Sequence, residues 1–281
     1  MITHQAPGDT FWDIVRHGAE AAAVNDNVDL IYSNNPNANE QAVLIQNAIA
    51  QRVDGIALTL PTPDALAAAV RRAQAAHIPV IAFNAGFDAW KPLGIPMYIG
   101  QDEELAGRAA GQRLNSEGPK HVLCVVQFQG QVQLEARCKG LQEGLNGARS
   151  EKIYVNGADM PSVRATITAK LQEDPSIDYV VTLGAPIAVT AVQAAKTAGS
   201  KAKIATFDTN KALVGEIQKG NVQWAIDQQP YAQGYEAVDS LWLWITNGDI
   251  IGGGRPILTG PAFIDAHNIG TVAQYAARGT R

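Results

Sequence analysis

AKIATFDTNKALVGEIQKGNVQWAIDQQPYAQGYEA, residues 202–237, holds two short apolar runs that each end on polar side chains. Lys203 to Phe207 and Val222 to Ile226 read as strands, and between them lies a segment with helical spacing and a Gly-Asn turn. The first run stops at Asp208, the second at Asp227, Gln228, Gln229 and Pro230. In an open parallel sheet, ligands are held outside the carboxyl ends of the strands, so Asp208 and Gln228 stand where a ligand would sit. Pro230 cannot continue a strand and marks a change of direction there, a candidate hinge.

Outward from this stretch the same alternation repeats. HVLCVV (121–126) and IDYVVTL (177–183) are short apolar runs bounded by polar residues, as strands buried on both faces should be. Segments such as 40–53 instead carry apolar residues at helical spacing, at Ala42, Ile45, Ile49 and Val53. The pattern is α/β with parallel sheets. About ten strand-helix units can be matched, more than the eight of a closed barrel, so two open Rossmann-like sheets of about five or six strands are expected.

Composition narrows the function. The chain has 281 residues, 46% of them apolar and 17% charged, with a formal net charge of −5. No basic stripe is present to neutralise phosphates, which argues against a nucleic-acid partner. The five histidines (His4, His17, His77, His121, His267) lack metal-ligand spacing, and no nucleotide or nucleophile-elbow motif occurs, so no cofactor, metal or catalysis is expected. The opening MITHQAPGDTFW reads as the remainder of a strand, with any export signal expected upstream of Met1. Cys124 and Cys138 fall near a strand end and in the following helix. A disulfide and two inert buried thiols both remain open, the former conditional on export.

Other strand ends supply further candidates. His4 follows the first run, and Asn84 ends IPVIAFN. In GDTFWDIV, Asp9 or Thr10 can cap the first helix, and the consecutive Phe11 and Trp12 lie about 100° apart around it, so one of them is expected to face a crevice, with two core aromatics as the alternative. Gln101 precedes a run of acids, Asp102 to Glu104, that suits a helix N-terminus, so those three are read as capping and dipole residues. Arg137 lies early in a helix beginning near Val132, and its planar fork suits two vicinal hydroxyls; a solvated arginine beside Glu135 is the alternative. Gln131 in the preceding loop and Met160 in GADMPSV complete the set, Met160 with core packing as its alternative.

The order strand, FD, helix, GNV, strand, DQQPYAQG, helix resembles the ribose/galactose-type (type I) periplasmic sugar-binding proteins, two-lobed receptors of ABC importers. The resemblance implies an N-terminal lobe of residues 1–101 plus 230–258 and a C-terminal lobe of residues 102–229 plus 259–281, joined by a three-segment hinge with crossings near Gln101, Gln229 and Thr259. It implies sugar-hydroxyl contacts at Asp208, Arg137, Gln228, Asn84 and Asp9, and apolar packing by Phe11, Trp12 and Met160. It also implies a membrane ABC permease as partner, a monomeric receptor, and a periplasmic or membrane-anchored extracellular location. Three places depart from the family pattern: Ala85 stands for an arginine, and Leu60 and Gly184 for polar amides. Fewer directional contacts imply a small ligand, a sugar or sugar alcohol of four or five carbons. The effector domain of a lac-repressor-type regulator shares the fold and is the competing reading.

Overall fold

The computed structural model describes residues 1–281 as two compact units, Met1–Gln101 with Gln229–Thr259, and Asp102–Gln228 with Gly260–Arg281. The first begins β1 (Ile2–Thr3), α1 (Phe11–Asn25), β2 (Ser33–Asn34), α2 (Ala38–Ala50), β3 (Ile56–Leu58), α3 (Pro63–Ala75), β4 (Val80–Phe83) and β5 (Tyr98–Gly100). The second runs α4 (Glu103–Glu117), β6 (His121–Val126), α5 (Val132–Gly144), β7 (Arg149–Tyr154), α6 (Met160–Glu173), β8 (Tyr179–Thr182), α7 (Ala185–Ala198), β9 (Lys203–Phe207), α8 (Lys211–Gln218) and β10 (Trp224–Asp227). The chain then adds α9 (Pro230–Asn247) and β11 (Ile257–Leu258) to the first unit, and β12 (Ala262–Asp265) and α10 (Ile269–Ala277) to the second.

Each unit is built on a six-stranded sheet, β11-β5-β4-β3-β1-β2 in the first and β12-β10-β9-β8-β6-β7 in the second. Successive side chains of a strand point to opposite faces, and both faces of these sheets are covered. In β3 and β4, Ile56, Leu58, Val80 and Ala82 join Leu66 and Val70 in one cluster, while Ala57, Ile81 and Phe83 join Phe11, Val15 and Ala237 in another. In β6, Leu123 and Val125 pack one way and Val122, Cys124 and Val126 the other. That double burial is why the runs read as continuously apolar rather than alternating.

One strand departs from the expected all-parallel arrangement. β12 pairs antiparallel with β10, Ala262 opposite Asp227 and Asp265 opposite Trp224. The chain reaches the sheet at the carboxyl end of β10 and can only run back along it.

Two helices approach closely, with consequences for the site. A Cβ on Gly107 of α4 would collide with the carbonyl of Arg137, and one on Gly140 of α5 with the carbonyl of Glu104. Glycine at both places lets the two backbones meet and brings the first turn of α4 beside Arg137. Cys124 of β6 and Cys138 of α5 form a disulfide, with Cα atoms 6.0 Å apart. The bond ties α5 to the sheet one residue from Arg137. No helix is long and apolar enough to cross a membrane.

Candidate ligand-binding site

The polar candidates sit at the carboxyl ends of strands in both units. In the first unit His4 follows β1, Asn84 follows β4 and Gln101 follows β5. His4 is buried, with Nδ1 2.8 Å from the Thr59 hydroxyl, and Gln41 donates to the Thr59 carbonyl at 2.7 Å. Asn84 Nδ2 donates to Gln233 Oε1 at 3.0 Å, and Gln233 Nε2 donates to the Thr259 hydroxyl at 3.0 Å. Tyr98 donates its hydroxyl to the Asn84 carbonyl at 2.8 Å. This buried chain of amides and hydroxyls holds the Asn84 side chain through Gln233 of α9 and Thr259 after β11, while Tyr98 of β5 holds its main-chain carbonyl.

In the second unit a tighter array forms. Arg137 Nε and Nη2 donate to Glu103 Oε2 and Oε1 at 2.7 and 2.9 Å, a bidentate pair, and Nη1 donates to the Leu183 carbonyl at 2.9 Å. The same Nη1 lies 3.6 Å from Asp208 Oδ2, and the guanidinium stands over the Phe207 ring, 4.7 Å from its centroid. Gln228 Nε2 donates to Asp208 Oδ1 at 2.7 Å. Arg137 and Glu103 are only 2% and 3% exposed, so each charge depends on the other for its solvation. Asp227, next to Gln228, is buried and paired with Arg281 instead.

Backbone geometry marks the same positions. Six non-glycine residues have positive φ: Asn27, Arg52 and His77, each two residues past a helix, and Asn84, Asp208 and Gln229 at strand ends. Asn and Asp tolerate the left-handed region better than other side-bearing residues, yet a glycine would sit there with less strain. Held at φ 63° and 65°, Asn84 and Asp208 keep a side chain where the backbone alone would favour none.

The remaining sequence candidates also have partners within the protein. Phe11 and Trp12 are both buried, in one apolar cluster, although helical spacing predicts that only one of the pair turns inward. Edge-to-face packing explains it: Phe11 meets Trp12 at 5.2 Å, and Trp12 meets His4 at 4.7 Å and Phe83 at 6.5 Å, so the rings cover each other. Asp9 Oδ1 accepts from the Phe11 amide at 3.2 Å, holding the helix start. Met160 opens α6 and, partly buried, packs against the second unit's core, its sulfur accepting from the Thr190 hydroxyl at 3.4 Å. Gln131 precedes α5 and accepts from Gln133 Nε2 at 2.9 Å. The acid run also divides: Asp102 caps α4 by accepting from the Leu105 amide at 2.9 Å and Glu104 binds Arg108 and Lys139, whereas Glu103 turns inward to Arg137. The capping role expected for Glu103 is therefore replaced by a buried ion pair, because the glycine contact between α4 and α5 brings Arg137 within reach.

Comparison with known proteins agrees with this architecture. A family model described as periplasmic binding protein domain matches residues 1–249. The chain belongs to this family. Among solved structures, a carbohydrate transporter from Acidothermus cellulolyticus 11B in complex with myo-inositol is 64% identical, with a TM-score of 0.98, covering 100% of this chain and 98% of that one. A periplasmic sugar-binding protein of an ABC transporter from Legionella pneumophila is 25% identical, with a TM-score of 0.86, over 92% and 98% of the two chains. The xylose/arabinose-binding protein XylF of Sulfolobus acidocaldarius is 28% identical over 246 residues, 80% of this chain, and the chain spans 60% of that relative's length. The fold class read from the strand pattern, two Rossmann-like units with mainly parallel open sheets, is the fold of this family.

Proposed function

We propose that the protein is a solute receptor of an ABC importer that captures a small polyhydroxylated molecule, a cyclic polyol of the inositol type before any other. The observation that carries the ligand class is whole-chain likeness at 64% identity to a protein solved with myo-inositol. The polar residues at the strand ends and on α5 suit it chemically. Arg137, Asn84 and Gln228 offer donors, and Asp208 offers acceptors, to a ligand whose hydroxyls do both. The arrangement resembles a recognition surface rather than a reaction centre, and no reaction is proposed. Ligand contacts made with both strand-end sets would draw the two units together, a population shift that a membrane permease could read.

Ligand size separates two readings. The departures at Ala85, Leu60 and Gly184 favour four or five carbons, while the inositol-bound relative favours a six-carbon ring. Ordered water can replace a missing side-chain hydrogen bond, so the relative weighs more. A regulator's effector domain shares the fold, but no feature of the described residues favours it over the receptor.

A thermal-shift screen of myo-inositol, tetritols, pentitols, pentoses and hexoses tests the proposal. Myo-inositol is expected to give the largest rise in Tm, since a ligand at 100 times its Kd stabilises the folded state by about 2.7 kcal/mol. A linear tetritol or pentitol giving the largest rise would restore the smaller ligand. No response to any polyol or sugar would overturn the receptor reading.

A further inference from the structure

Gly184 lies two residues past β8 and caps the start of α7, and its φ of −167° is extended backbone that any residue adopts, so conformation does not require glycine there. Space does. A Cβ at this position would lie 3.1 Å from Nε2 of Gln127, the residue immediately after β6. The Gln127 amide thus occupies the room that an absent side chain at 184 leaves. Its nitrogen donates to the Leu183 carbonyl at 3.3 Å, the same oxygen that accepts from Arg137 at 2.9 Å. A carbonyl can only accept, which fixes the amide with its nitrogen toward Leu183 and its oxygen away. That oxygen, Oε1, is buried and has no hydrogen-bond partner. The backbone of Gln127 is held as well, its carbonyl accepting from the Gly157 amide at 2.9 Å.

A buried acceptor left unpaired destabilises the fold that contains it, and such a group calls for an explanation. We infer that Gln127 is a specificity-determining ligand residue: with its nitrogen seated in the room left at Gly184, its Oε1 accepts a hydrogen bond from one hydroxyl of the polyol on the opposite side of the amide. This rests on the polyol-receptor reading. The amide missing at 184 is supplied from the neighbouring strand end, beside Arg137, so a ligand lacking a donor at that hydroxyl would be discriminated against.

The test is a set of calorimetric titrations with myo-inositol on the parent, Gln127→Ala, Gly184→Ala and the double variant, with Tm measured on each protein without ligand. Gln127→Ala is expected to weaken binding about tenfold, the effect of one hydrogen bond near the upper end of its usual range. Its ligand-free Tm should be unchanged or raised, because an unpaired acceptor has gone; a merely structural residue would lower it. Gly184→Ala should weaken binding by displacing the Gln127 amide, and the double variant should bind no worse than Gln127→Ala alone. Gln127→Ala binding as tightly as the parent, or losing affinity only in step with a fall in ligand-free Tm, would overturn the assignment while leaving the receptor reading intact. A parent that does not bind myo-inositol would overturn the ligand reading and this assignment with it.

Discussion

Arg137→Ala is expected to destabilise the protein by about 3–5 kcal/mol, the effect of removing one partner from a buried ion pair. The pair is bidentate, and both members are almost fully enclosed. Truncation leaves the Glu103 carboxylate without its guanidinium and Asp208 without the nearest cation. Glu103→Ala should be as severe for the converse reason, an unpaired guanidinium. The double replacement Glu103→Leu/Arg137→Met removes both charges, and its expected stability is closer to the parent than to either single variant. Urea unfolding measures all four proteins. Single variants within about 1 kcal/mol of the parent, or a double variant with additive losses, would show that the pair is not an enclosed unit. Ligand binding should be lost in the double variant even where stability returns, because the donors of Arg137 are gone.

Removal of the disulfide is the second large effect. Cys124 and Cys138 stand 14 positions apart, and a bond closing a loop of this length contributes roughly 3 kcal/mol by restricting the unfolded chain. Cys124→Ala/Cys138→Ala is therefore expected to lower Tm by roughly 6–12 °C, taking about 2–4 °C per kcal/mol for a chain of this size. The bond also anchors α5 next to Arg137, so affinity for the ligand should fall with it. A double alanine variant that melts with the parent would refute the stabilising role. One that melts early yet binds ligand unchanged would show that the glycine contact between α4 and α5 alone suffices to hold Arg137.

The fold class is legible in the sequence because both sheets are buried on two faces. Runs such as HVLCVV and YVVT are largely apolar and buried along their whole length for that reason. The antiparallel β12 is not legible, since its direction follows from where the chain enters the sheet and not from any local pattern. Strand-end logic leads to Asp208, Gln228, Asn84 and His4 as candidates, and the same rule applied to HVLCVV would add Gln127. That residue escapes notice because Gly184, taken within its own segment, shows only a missing amide, and nothing there reveals that a neighbouring strand end fills the gap. Glu103 is hidden differently. It is 34 residues from Arg137, within a run of acids that suits a helix start, and only the close approach of α4 and α5 selects it from its neighbours. Phe11 and Trp12 show the limit of helical periodicity at a first turn, where side chains can shield each other.

The most direct test of a polyol receptor built on these strand ends is calorimetric titration of myo-inositol into the parent and into Asp208→Ala. The parent should bind one molecule per chain, and Asp208→Ala should lose roughly 1.5–3 kcal/mol of binding free energy, the range for a hydrogen bond to a charged group. Equal affinity of the two proteins, or a parent that gives no saturable heat with myo-inositol, would contradict it.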